Sequence, residues 1–255
     1  MAVVESEKRD RVAIITLNRP EARNAVNGEV SETMEAILDD LEADDDVVVV
    51  VVTGKGSTFC AGADLKKVAQ SKGGEIVTKR GGFAGLTTRT YSKPIIAAVN
   101  GPALAGGFEL VLACDLVVAA DHATFGIPEV KRGLFAAAGG LIRLPRRIPV
   151  AVATELAITG DPIDAARALQ LGLVNRVVPG DQVIDEALAL AARITMNGPL
   201  AVRNALTMVH EAIDLTEEQA WPRNYELAME VFSSKDAIEG ATAFAEKRDP
   251  RWTNS

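Results

Sequence analysis

The chain has 255 residues, of which 48% are apolar and 24% charged, with a net charge of −8. Such proportions are those of an ordinary soluble globular protein with a sizeable core: one large domain, or one domain plus an appendage. The acidic balance argues against a general nucleic-acid role, because phosphate binding needs a basic face.

In chain order, Met1 to Arg11 is polar and charged, unlike a secretory leader, and no 18-residue apolar run follows. A cytoplasmic location without a membrane span is the expectation. Val12 to Leu17 reads as a strand, stopped by Asn18-Arg19-Pro20. A helix is predicted from about Gly28 to Glu42, with Val30, Met34, Ile37, Leu38 and Leu41 on one face and Asn27 as N-cap. Val47 to Thr53 is an unbroken β-branched run, the mark of a parallel strand buried on both faces. Strands are further predicted at Ile95 to Val99 and Leu116 to Ala120, with a short helix, Gly107 to Cys114, between them. Ser71 to Gly85, rich in glycine, is the expected mobile loop.

Beyond about Ala138 the strands thin out. Helical patterns cover 140–147, 151–159, 165–171, 182–194, 199–213, 217–232 and 236–246, with one late strand at Val174 to Val178. Asp164 and Thr216 are N-cap candidates, Thr216 to Gln219 has capping-box form, and Gly172 reads as a helix stop. The chain reads as an α/β core followed by an α-helical tail, without a clear sequence repeat. Cys60 and Cys114 form no CxxC pair, and His122 and His210 lack ligand spacing, so neither disulfide nor metal is suggested.

Two glutamates stand out. Glu109 follows Ala105-Gly106-Gly107-Phe108, and Glu129 follows Phe125-Gly126-Ile127-Pro128. Upstream, Phe59 to Leu65 supplies another small-residue turn before a helix. Gly62 permits a bend that aims the Ala63 N–H outward, and Gly106 is the natural donor of the second bend. A glutamate at the mouth of an apolar helix has its pKa raised by desolvation, which suits a general acid or base. Two carboxylates with two backbone donors are what moving a proton beside a thioester carbonyl requires. Each piece alone also reads as ordinary structure: a strand-to-helix connection, a solvated helix glutamate, a surface-loop residue. No Gly-x-Ser-x-Gly elbow is present, which disfavours a serine hydrolase.

The ordered set Asn18-Arg19-Pro20, Cys60 to Leu65, Lys93-Pro94, Ala97 to Gly101, Gly106 to Leu110, Phe125 to Glu129 and Ala243 to Pro250 closely resembles the enoyl-CoA hydratase/isomerase, or crotonase, superfamily over nearly the whole chain. The resemblance implies a spiral ββα core over residues 1–195, holding the CoA and active sites. It implies a helical region over 196–255 that forms trimers, often a dimer of trimers. It implies an acyl-CoA thioester as ligand, with coenzyme A entering only as part of the substrate; the acidic charge and the lack of a long apolar run leave neither nucleic acid nor membrane as an expected partner. Carried over by motif, the Ala63 and Gly106 N–H groups form an oxyanion hole, and Glu109 and Glu129 are the catalytic pair. The Ala61 carbonyl, Asp64, Leu65 and Lys66 match the CoA-binding loop, and Arg23 is a further CoA candidate. Phe244 and Lys247 match tail residues that reach a neighbouring subunit's CoA.

The activity so implied is hydration of a trans-2-enoyl-CoA. Where many hydratases carry Pro-Gly, this chain has Phe135-Ala136-Ala137-Ala138-Gly139-Gly140, which reshapes the expected acyl pocket. Gly81 to Thr87 and Asp236 to Gly240 resemble the carnitinyl-CoA dehydratase branch, whose trimethylammonium substrate wants aromatic faces such as Phe83 and Phe135. A non-catalytic acyl-CoA binder would need neither glutamate. An RNA-binding relative has a basic early helix, whereas here that helix carries Glu29, Glu32, Glu35, Asp39, Asp40 and Glu42. An isomerase of the same fold often works with one carboxylate.

Overall fold

The computed structural model describes residues 2–66, 69 and 76–255. Its main sheet has six strands in the order β1-β2-β3-β6-β8-β11. β1 (Val4–Arg9) and β2 (Val12–Leu17) form an antiparallel hairpin. The others, β3 (Val49–Gly54), β6 (Ile95–Val99), β8 (Leu116–Ala120) and β11 (Arg176–Val178), run parallel to β2. Every residue of β3 and β6 is buried, as an unbroken apolar run in a covered parallel sheet demands. Helix α6 (Val183–Thr195) packs across β2, β3, β6 and β8. β1, absent from the sequence expectation, is an edge strand with only Val4 buried; its polar residues suit an edge and hide the strand from a hydrophobicity pattern.

A second layer explains how the site is built. Short β7 (Ala103–Leu104) lies parallel to β9 (Thr124–Gly126), and β9 pairs antiparallel with β10 (Ile163–Asp164). Cys60 bridges to Ala103 in the same parallel sense. Three successive turns thus leave the main sheet by β3, β6 and β8 and pass one rung of the second layer at Cys60, Ala103 and Phe125. Ala63, Gly106 and Pro128 follow those rungs at equal spacing. The repeat is structural, without a matching sequence repeat.

The helices start where the sequence places their caps. Asn27 accepts from Val30 N–H at the start of α1 (Gly28–Ala43), and Asp164 accepts from Arg167 N–H at the start of α5 (Ala165–Gln170). α2 (Gly106–Ala113) lies between β7 and β8, and α3 (Gly140–Arg147) and α4 (Val150–Thr159) lie between β9 and β10. The tail comprises α7 (Pro199–Ala212), α8 (Glu217–Phe232) and α9 (Lys235–Glu246), with the complete capping box at Thr216 and Gln219. Among the described residues no helix is long and apolar enough to cross a membrane.

Of the expected mobile loop, 71–75 lies outside the described residues. The rest is a pinned hairpin, β4 (Val77–Thr78) against β5 (Gly82–Phe83). Glu35 of α1 accepts from Gly81 N–H at 2.8 Å, and Ser31 donates to the Ile76 carbonyl at 2.8 Å. The glycines there serve a close backbone turn against α1, and Phe83 is buried.

Candidate active site

The first bend is fixed by pairing with the segment before α1. Gly62 sits at φ +91°, its carbonyl accepts from Val26 N–H, and Asp64 N–H donates to the Val26 carbonyl, both at 2.8 Å. The Ala63 N–H between them has no acceptor among the described residues. A Cβ on Gly62 would lie 2.8 Å from the Ala105 methyl, so the first bend packs directly on the second.

The second bend turns at Ala105, the N-cap of α2, at φ 54° and ψ −132°. That is the mirror image of an extended conformation, which glycine enters freely and alanine does not. Such a residue stores strain on the order of 1–3 kcal/mol and persists only where its surroundings hold it. Here Ala105 N–H donates to the Gly126 carbonyl at 2.9 Å, and its own carbonyl accepts from Phe108 N–H and Glu109 N–H at 2.9 and 3.1 Å. The next amide, Gly106 N–H, has no acceptor among the described residues. It stands at the positive end of α2, where orphan donors favour an anion.

The carboxylates come from the second and third turns. Glu109 is only 3% exposed, and its Oε1 accepts from Gly140 N–H, at the start of α3, at 2.8 Å. Burial raises its pKa, opposed by the amides of Gly140 and Ala138 and by the charge of Arg143. Glu129 lies on the 3-10 turn Pro128–Arg132, which ends at Gly133 in the left-handed region. Its Oε2 is buried and has no hydrogen-bond partner among the described residues. Burial raises this pKa too; a backbone hydrogen bond lowers it, the Glu109 charge raises it again, and Arg132 opposes. Two carboxyls at neighbouring points, both shifted upward, are a reason to look for proton-transfer chemistry.

All four groups border one cavity of about 490 Å³. Its walls are mainly apolar, and the Phe83 ring lies so near Gly106 that a Cβ there would approach Phe83 Cζ to 2.5 Å. Residues 7–255 match the family described as enoyl-CoA hydratase/isomerase. The chain belongs to the enoyl-CoA hydratase/isomerase family.

Within this family the chain is 42% identical over 266 aligned positions to the enoyl-CoA hydratase EchA19 of Mycobacterium tuberculosis, covering 100% of both chains. It is 40% identical to a carnitinyl-CoA dehydratase of Proteus mirabilis, covering 96% of this chain and 95% of that one. A crystal structure of an enoyl-CoA hydratase from Mycobacterium tuberculosis superposes with a TM-score of 0.96 at 50% identity, with full coverage of both chains. The mixed α/β fold with its C-terminal run of helices is that of the crotonase enzymes.

Of the CoA-loop residues suggested by the family motif, Ala61, Leu65 and Arg23 border the cavity. Asp64 instead pairs with Arg19 at 3.0 Å, and Lys66 is exposed and off the cavity wall. Phe244, 87% exposed, and Lys247 stand on and just after α9, away from the cavity in this chain. Sequence reasoning missed Gly140 as the partner of Glu109, Arg132 at the rim beside Glu129, and Arg143. Arg143 donates to the Thr87 and Ala138 carbonyls at 2.5 and 3.4 Å. The paired glycines Gly139-Gly140 before a helix were the one local signal. His122 and His210 lie off the cavity, against Asp121 and Asp115. Among the described residues no group of His, Cys, Asp and Glu is placed to hold a metal.

Proposed function

We propose that the chain is an enoyl-CoA hydratase, a carbon–oxygen lyase that adds water across the C2=C3 bond of a trans-2-enoyl-CoA thioester. One observation carries the reading: two carboxyls with raised pKa and two amides without acceptors among the described residues border the same cavity. The thioester oxygen sits between the Ala63 and Gly106 N–H groups. As charge builds on that oxygen, the two donors stabilise it; one such donor is typically worth roughly 2.7–4 kcal/mol. Glu109, whose ionised form is favoured by the Gly140 amide, takes a proton from water as the oxygen bonds to C3. Glu129, whose neutral form is favoured first by burial and then by its acidic neighbour Glu109, gives its proton to C2. Proton exchange between the two restores the starting state. Arg23, Ala61 and Leu65 line the cavity for the CoA moiety, with Asp64 and Lys66 just beyond on the same turn.

The core over 1–195 would hold this site and the region 196–255 would assemble the protein into a trimer or a dimer of trimers. Support comes from α8, where Trp221, Tyr225, Met229 and Phe232 are all at least half exposed. Exposed apolar side chains at this density on one helix mark a protein–protein surface. In that assembly Phe244 and Lys247 would serve a neighbouring subunit's CoA. A cytoplasmic location accords with this chemistry.

A second reading, carnitinyl-CoA dehydratase, is favoured by the two aromatic side chains on the cavity wall, Phe83 and Phe135. Steady-state turnover of enoyl-CoA thioesters of increasing length, with crotonobetainyl-CoA included, separates the two. Loss of the conjugated-thioester absorbance reports hydration. Glu109→Gln and Glu129→Gln are each expected to lower kcat by on the order of 10² or more. Near-normal turnover in both variants removes the proposal.

A further inference from the structure

We propose that Ala105 is the positioning residue of this site, its methyl group and strained peptide setting the spacing between the two amide donors and the two glutamates. The inference rests on the hydratase reading and adds a residue that contributes no reacting atom. Ala105 touches every arm of the site. Its Cβ packs against the face of Gly62, one residue before the Ala63 donor. Its N–H holds the Gly126 carbonyl, at the end of the strand that leads into Pro128 and Glu129. Its carbonyl holds Glu109 N–H, and its peptide bond to Gly106 carries the second donor.

At φ 54° and ψ −132° a glycine would be free of strain, and Gly106 and Gly107 follow directly. An alanine here loses stability and gains one thing, a methyl wedge between the first and second bends. Without it, the face of Gly62 keeps only the Gly106 amide nitrogen and the Leu104 carbonyl as close neighbours across the two bends, and the donors lose one of the three contacts that fix their approach. The methyl therefore holds the amides at the separation that a developing oxyanion requires.

The test is Ala105→Gly beside Ala105→Ser, which keeps a Cβ. Ala105→Gly is expected to melt about 2–4 °C higher, as relief of strain in a chain of this size implies. Its kcat is expected to fall roughly tenfold to a hundredfold with KM nearly unchanged, because small misplacements near the reacting atoms act on the transition state. Ala105→Ser is expected to recover most of the rate. A purely structural role would give a lower melting point, or a rate that follows stability. The inference is overturned if Ala105→Gly keeps wild-type kcat, or if Ala105→Ser falls as far as Ala105→Gly. A wild-type chain that hydrates no enoyl-CoA would instead overturn the parent reading, and this one with it.

Discussion

Gly140 N–H donates to Glu109 Oε1 at 2.8 Å, and this one bond ties the second turn of the spiral to the start of α3. It sets two influences against each other. Burial favours the neutral carboxyl, whereas a helix-start amide and Arg143 favour the ionised one. The net shift is upward from the usual 4.5.

A raised carboxyl pKa has a defined sign in stability. The proton is bound more tightly in the folded state, so this stabilisation is complete below the unfolded pKa. It is lost as pH rises through the folded value. Glu109→Gln, which keeps an oxygen for Gly140, is expected to melt above wild type at neutral pH, with the gap closing near pH 4.5 and below. Melting curves across that range check it; a gap that widens toward acid pH contradicts it. Wild-type activity is expected to fall on the acid side at a pH above the usual carboxylate range, as Glu109 is protonated.

Gly140→Ala probes the same contact from the other side. A Cβ there would lie 3.1 Å from both Cγ and Oε1 of Glu109, and 3.4 Å from Ile127. The carboxylate must shift by a few tenths of an ångström. Roughly a tenfold loss of kcat, at little change in melting point, is the expected result. An unchanged kcat would show that Glu109 tolerates the displacement.

Cys60 and Cys114 are fully buried free thiols, and burial pushes each up to about 12. A thiol held neutral is a poor nucleophile. Native protein is expected to resist alkylation at both sites, with labelling appearing only as the chain is unfolded in denaturant. Mass spectrometry of labelled peptides reads this directly, and rapid modification of Cys60 in the native state would contradict it.

On α8, Tyr225 and Met229 are 62% and 59% exposed and lie one helical turn apart. Replacing either by Glu places a charge on the surface proposed for assembly. Sedimentation velocity is expected to show a smaller species, with secondary structure retained. A wild-type chain that sediments as a monomer would remove the assembly proposal.

Much of this was legible in the residues themselves. β2, β6 and β8 end where Asn18, Asn100 and Asp121 interrupt apolar runs, and the caps Asn27, Asp164 and Thr216 mark helix starts through local chemistry. β7, β9 and β10 were not legible, because two or three residues carry no periodicity and exist only through pairing. The same division holds at the site. The bends at Gly62 and Gly106 show in composition, being local. The bond from Gly140 to Glu109 and the placement of Arg143 across the Thr87 carbonyl join distant stretches, and composition has no access to them.

The rungs at Cys60, Ala103 and Phe125 also decide where the chain can change length. An insertion ahead of a rung would bulge outward and leave the following bend in register. An insertion between a rung and Ala63, Gly106 or Glu129 would swing that group out of line with the other two. Length polymorphism among functional homologues should therefore gather upstream of the rungs, and the short stretches after them should keep a fixed count.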